Sequence, residues 1–266
     1  MKPLEPMKLL EPMKPLANRT PETGQFLRMV TGQCGERILL VEAPSGCGKT
    51  SLLLKFESEC PPPVQSVWVD LKAAQTGAPY LFSRIRKKLG PEQFPWFDRA
   101  VQFFLSSGIE ISGNELQGQD NQIQVILNVA DDNLRNMRLM ALREAFFRDL
   151  AALPHPVLLI LDTFNAAPAP LANWIGGEFL AEVADTPNVF AVVAGQHVPA
   201  PNGEWMRYQQ HCQLDNILEI DAWYNYVQAI GLPFDRGQVD VLVRLLKGRP
   251  SVIVQSFDSL RRGTSA

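Results

Sequence analysis

Residues 38–41, 157–161 and 189–194 are apolar without a break, and each run is too short for a helix. Such runs suit strands covered on both faces, as in the middle of a parallel sheet. Residues 64–71 add a further strand that ends at Asp70. Between these runs the apolar spacing turns helical. Phe26, Leu27, Met29 and Val30 follow Pro21 and Glu22, residues 50–56 carry Leu52, Leu53 and Leu54, and residues 80–89 form a basic amphipathic stretch. Leu134, Met137, Leu142, Phe146 and Leu150 mark a long helix over residues 131–153, and residues 174–184 form a shorter one. Strands alternating with helices imply crossover connections, hence an α/β fold around a parallel sheet.

Two regions depart from that alternation. In residues 109–128, the runs from Ile109 to Ser112 and from Ile123 to Leu127 flank Gly113, Asn114, Gly118 and Asp120, which reads as a β-hairpin inserted into the core and packed on its sheet. From Ile220 onward three helical stretches, residues 222–230, 239–247 and 251–262, are punctuated by Gly231, Gly237 and Gly248-Arg249-Pro250. They read as a small C-terminal helical cap. The aromatic-rich residues 91–105, with Phe94, Trp96, Phe97, Phe103 and Phe104, are expected to cover a sheet face. The expected organisation is a tail over residues 1–17, a three-layer core over 18–215 and the cap over 216–266.

The tail is an imperfect hexapeptide triplet beginning at Met1, Met7 and Met13, any of which could be the true start. Its prolines prevent a helix, and Pro and Glu interrupt every apolar stretch, so it reads as disordered and not as a signal peptide. No later segment approaches the length of a membrane span.

A hydrophobic content of 46% over 266 residues is ample for a core. The net charge of −3 leaves no global basic footprint and argues against nucleic acid as the main partner. Arg84, Arg86, Lys87 and Lys88 form a local basic patch that reads as a solvated helix face. Cys34, Cys47, Cys60 and Cys212 include no C-x-x-C pair, which fits a reducing cytoplasm better than a zinc site or a disulfide scaffold.

The strongest chemical signal is the turn after residues 38–41. It runs from Ala43 through Pro44, Ser45, Gly46, Cys47, Gly48, Lys49 and Thr50 to Ser51 and opens a helix. A buried strand that feeds such a turn presents backbone N–H groups to a phosphate, and the positive end of the next helix faces the same hollow. Gly46 and Gly48 suit positions of positive φ, while Ala43 stands where the usual pattern has its first glycine. Lys49 would reach the β- and γ-phosphates, and the Thr50 hydroxyl would hold Mg²⁺. Asp162 ends an apolar strand about 110 residues later, where a carboxylate would orient the same ion.

With these two elements in order, the chain resembles the STAND branch of P-loop NTPases, near AAA+ and NACHT proteins, and most of all the short, catalytically degraded STAND-like domains. The resemblance rests on Asn18-Arg19, on residues 38–56, on residues 158–165 with their Walker B Asp162, on residues 192–196 and on Gly248-Arg249-Pro250. It implies that Asn18, Arg19 and Pro250 lie near adenine. Active relatives carry a second acid just after the Walker B aspartate, whereas this chain has Thr163, Phe164 and Asn165. Asn165 could hold a water but could not accept its proton. Gln196 stands where the resemblance suggests an arginine to sense the γ-phosphate.

The resemblance therefore implies a cytoplasmic switch of bacterial signalling or conflict systems that binds ATP and Mg²⁺ with weak or no hydrolysis. The alternative is an active ATPase of the AAA+/STAND class with Asp162 or Asp70 as base. The expected partner is an effector or sensor on a separate chain, or further copies of this one.

Overall fold

The computed structural model describes residues 15–106 and 119–263. In chain order its regular elements are α1 (Thr20–Val30), β1 (Ile38–Glu42), α2 (Lys49–Glu59), β2 (Gln65–Asp70), α3 (Ala78–Leu89), α4 (Pro95–Ser106), α5 (Gln119–Leu127) and α6 (Asp132–Ala152). They continue with β3 (Val157–Asp162), α7 (Ala169–Trp174), α8 (Leu180–Asp185), β4 (Val189–Gly195), β5 (Gln209–Gln213), α9 (Ile220–Ala229), α10 (Arg236–Leu245) and α11 (Pro250–Gly263).

The strands form one five-stranded parallel sheet in the order β2-β3-β4-β1-β5. Because side chains alternate across a strand, each apolar run feeds two cores. Ile38, Leu40, Leu159 and Val193 join a cluster with Phe82, Phe97, Phe146 and Phe179 from the helices on one face. Leu39, Val41, Ile160 and Val192 join Phe26, Leu52 and Phe56 of α1 and α2 on the other. The Phe26 and Phe56 rings stack at 4.4 Å, which fixes α1 on α2. This is the three-layer α/β architecture that the continuous runs imply.

The cap helices α9 to α11 bury a separate cluster built on Trp223, Tyr226, Val227, Val239, Val243, Ile253 and Phe257. Ala17 is buried in that cluster and Leu16 packs against the α1–α2 side, so these two residues of the expected tail are part of the fold. Residues 1–14 lie outside the described residues.

α5 corrects the hairpin expected over residues 109–128. Its second arm is helical, with Ile123 and Ile126 fully buried against α3, α4 and α6. A short apolar run satisfies period 2 and the i, i+3 spacing alike, and packing decides for the helix. The first arm lies outside the described residues. The sequence carries no sign of β5, since only Cys212 of Gln209–Gln213 is buried. A sheet-edge strand has one neighbour and needs no continuous apolar run.

The helix expected over residues 174–184 is α7 and α8 joined by a π-turn at Ile175–Phe179. Its Gly176 carbonyl accepts hydrogen bonds from Trp205 Nε1 at 2.7 Å and Asn202 Nδ2 at 3.2 Å. The wide turn is thereby pinned to the connection between β4 and β5.

Candidate functional site

Since all strands run the same way, the turns after β1, β2, β3 and β4 gather at one edge of the sheet. The turn after β1 is tied to β4 at its base, where Ala43 N donates to Gly195 O at 3.1 Å. The Ala43 methyl is fully buried in the α1–α2 cluster, so an alanine serves where the usual pattern has glycine. Gly46 and Gly48 take φ of 87° and 88°, and Gly48 caps α2, turning the first N–H groups of that helix toward the hollow.

Lys49 Nζ donates to the carbonyls of Ala43 at 2.6 Å and Pro44 at 3.1 Å. Burial lowers the pKa of this ammonium, against the pull of Cys47 and Asp162. Asp162 is 8% exposed. Burial raises its pKa, Asp70 adds to the rise, and the Thr163 N–H at 2.7 Å and Lys49 oppose it. Thr163 holds a left-handed φ of 60°, unfavourable for a β-branched residue. Two residues on, Asn165 Oδ1 accepts the backbone N–H of Gln196 at 2.9 Å, joining the ends of β3 and β4.

These residues line a cavity of about 430 Å³. One wall comes from the core: residues 45–51, Asp162, Thr163, Asn165 and Gln196. The other comes from the N-terminal segment and the cap: Leu16, Ala17, Arg19, Ile217, Trp223, Tyr226, Pro250, Ser251 and Val254. Among the sequence-predicted residues, Ala43, Pro44 and Asn18 do not line it. The first two shape the turn, and Asn18 Oδ1 instead accepts the Arg19 N–H at 2.8 Å.

Arg19 lines the cavity, but its guanidinium is committed to protein partners. It donates to Glu22 Oε1 at 3.1 Å, to Cys47 O at 3.1 Å and to Asp215 O at 2.6 Å. The cap touches the same turn directly, through Arg249 Nη2 to Ser45 O at 2.9 Å and Ser251 N to Gly46 O at 3.0 Å.

The cavity is also lined by Pro15, Leu16, Ala17, Ile217, Trp223, Tyr226, Ser251 and Val254, none of which was expected from the sequence. Trp223 and Tyr226 stand one turn apart on a helix and serve both the cap core and the cavity wall, so their spacing alone reads as core.

No protein-family model and no curated protein matches the chain. Solved structures do match. A Walker-type ATPase of Pyrococcus abyssi is 16% identical with a TM-score of 0.51, over 96% of this chain and 71% of its own. A Signal Transduction ATPase with Numerous Domains (STAND) protein with a tetratricopeptide repeat sensor, from Pyrococcus horikoshii, is 11% identical with a TM-score of 0.52, over 93% of this chain. This chain spans 31% of that protein.

The Aeropyrum pernix ORC1 protein, solved in complex with DNA, is 11% identical with a TM-score of 0.42, over 81% of this chain and 50% of its own. The expectation against nucleic acid as a main partner is withdrawn, because it rested on net charge alone. A net charge of −3 averages over all faces of the molecule and is no ground for excluding DNA.

Among the described residues no helix is long and apolar enough to cross a membrane. With its strand order, its glycine-bearing turn and the first two matches, the chain has the α/β fold of P-loop NTPases, the fold it shares with that Walker-type ATPase and that STAND protein.

Proposed function

We propose that the cavity binds ATP with Mg²⁺ and that the bound nucleotide holds the cap against the core, so that the chain works as a nucleotide-operated switch with weak or no hydrolysis. One observation carries this reading: a single cavity takes one wall from the phosphate-binding turn and Asp162 and the other from the cap. A ligand shifts an equilibrium only by its differential affinity for the two states, and a site walled by both parts supplies that difference. Trp223, Tyr226, Pro250 and Val254 offer an apolar wall for the base, while Lys49 and the N–H groups of the turn face the phosphates.

The Thr50 hydroxyl and the Asp162 carboxylate are hard oxygen donors that fit Mg²⁺. Asp162 is buried with no ion pair among the described residues, an arrangement that a divalent cation would stabilise. The metal, when bound, neutralises phosphate charge; the chain's own residues position the phosphates and exclude water. The sequence between Asp162 and Asn165 supplies no further carboxylate, and Asn165 Oδ1 is engaged by Gln196. These features favour binding over turnover.

The role in bacterial signalling and the cytoplasmic setting are part of the proposal, and the signalling role draws support from the STAND neighbour. A second reading, an active ATPase, has one observation in its favour: Asp70 lies beside Asp162 in register and offers another carboxylate as base.

Thermal melts and turnover assays with Lys49→Ala as control separate the two. The account expects Mg²⁺ and ATP at a hundredfold excess over Kd to raise Tm by about 5–10 °C in the wild type and not in the variant. Turnover is expected to stay at background. Turnover well above background that is lost in Lys49→Ala would establish the ATPase reading instead.

A further inference from the structure

Three consecutive carbonyls of the phosphate-binding turn each accept a hydrogen bond from outside it. Ser45 O accepts from Arg249 Nη2 at 2.9 Å, Gly46 O from the backbone N–H of Ser251 at 3.0 Å, and Cys47 O from Arg19 Nη2 at 3.1 Å. In a planar trans peptide the C=O and N–H point in opposite directions. Holding these oxygens therefore fixes the N–H groups of Gly46, Cys47 and Gly48 on the opposite side of each peptide plane; the Cys47 N–H closes the turn onto Pro44 O at 3.5 Å, and those of Gly46 and Gly48 are the ones the turn can offer a phosphate. Two of the donors belong to the start of the cap helix α11 and its preceding turn. The third, Arg19, also grips Asp215 O at 2.6 Å, on the segment that leads into the cap.

The fit at this seam is close. A methyl group on Gly46 would lie 2.5 Å from Ser251 Oγ and 3.0 Å from Arg249 Nε. Arg249 itself is exposed and does not line the cavity, so any effect it has on a ligand passes through the turn.

We infer that Arg249 is a positioning residue: with Ser251 and Arg19 it sets the turn in its phosphate-binding conformation, so that phosphate affinity depends on cap docking. This inference rests on the nucleotide-binding reading of the same cavity. Coupling between two events is reciprocal, so phosphate binding must tighten the cap by the factor by which the docked cap tightens phosphate. The contribution differs in kind from that of Trp223, Tyr226 and Pro250. Those residues wall the cavity directly, whereas Arg249 acts on the polarity and shape of the phosphate end alone.

The difference is measurable on the full chain by calorimetric titration of wild type, Arg249→Ala and Arg249→Lys with three probes: ATP with Mg²⁺, inorganic pyrophosphate with Mg²⁺, and adenosine. Thermal melts of each variant verify folding, and the exposed Arg249 side chain makes both substitutions mild. The expected result is a loss of about fivefold to tenfold for ATP and pyrophosphate in Arg249→Ala, with adenosine unchanged. Arg249→Lys keeps a charged donor and is expected to recover most of the loss.

Unchanged ATP and pyrophosphate binding in Arg249→Ala would overturn the inference. So would an equal loss for adenosine, because it would show that Arg249 only docks the cap. If the wild type binds neither ATP nor pyrophosphate, the nucleotide reading itself fails, and the wild type reports that before any variant is compared.

Discussion

Asp162 stands directly opposite Asp70 in the register of β3 and β2, so two carboxylates end adjacent strands, Asp162 on the cavity wall and Asp70 outside it. Burial first, and then Asp70, raise the Asp162 pKa. A raised folded-state pKa means that the folded chain binds this proton more tightly than the unfolded one. The stabilising contribution is then complete below the unfolded value and is lost as pH rises through the folded one.

Asp162→Asn should therefore raise Tm at about pH 7 in the absence of ligand, with a gain that shrinks toward about pH 4. The same substitution should abolish the Mg²⁺-dependent part of ATP stabilisation. Melts over this pH range, with and without Mg²⁺ and ATP, check both halves. A lower Tm at neutral pH without ligand would count against the electrostatic account of this site.

Gly46→Ala places a methyl group where φ is 87° and Ser251 Oγ would lie 2.5 Å away. The expected cost is about 1–3 kcal/mol from the backbone alone, with cap displacement in addition. Gly32→Ala is the matched control, since Gly32 has φ of 69° but nothing within 4 Å of an added methyl. Chemical denaturation and ATP titration of the pair separate strain from seam. Both variants should lose stability, and only Gly46→Ala should lose ATP binding.

Asn165→Asp keeps an oxygen that accepts the Gln196 N–H and adds a carboxylate next to the cavity. If the chain binds ATP but lacks an efficient base, this change should raise ATP turnover by about tenfold or more over wild type. Steady-state phosphate release is the measurement. Fast wild-type turnover that falls in Asn165→Asp would point to an existing base, with Asp162 or Asp70 as the candidate.

The central strands and the glycine-bearing turn were legible because each rests on local sequence. Residues 157–161 read as a strand covered on both faces because the run is too short for a helix, and Gly46 to Thr50 carry their chemistry in consecutive positions. β5 was illegible because an edge strand of Gln, His and Cys carries no apolar signature. α5 was misread because Ile123, Ile126 and Leu127 fit two periods, and only the helices around them choose.

The cap side of the cavity was hardest to read. Arg249 meets Ser45 across 204 positions of sequence, and no spacing rule links residues that only folding brings together. Arg19 was expected near adenine from resemblance. The structure places Arg19 on the cavity wall with its guanidinium spanning Cys47 and Asp215, a link that needs the cap in place to be seen.

Hydrogen exchange, followed peptide by peptide with and without Mg²⁺ and ATP, tests the central claim most directly. If the nucleotide holds cap to core, protection should rise together in residues 45–51 and in the cap segments that hold Trp223 and Val254, and Lys49→Ala should abolish both effects. Protection confined to the turn, with the cap exchanging as it does without ligand, would contradict the account.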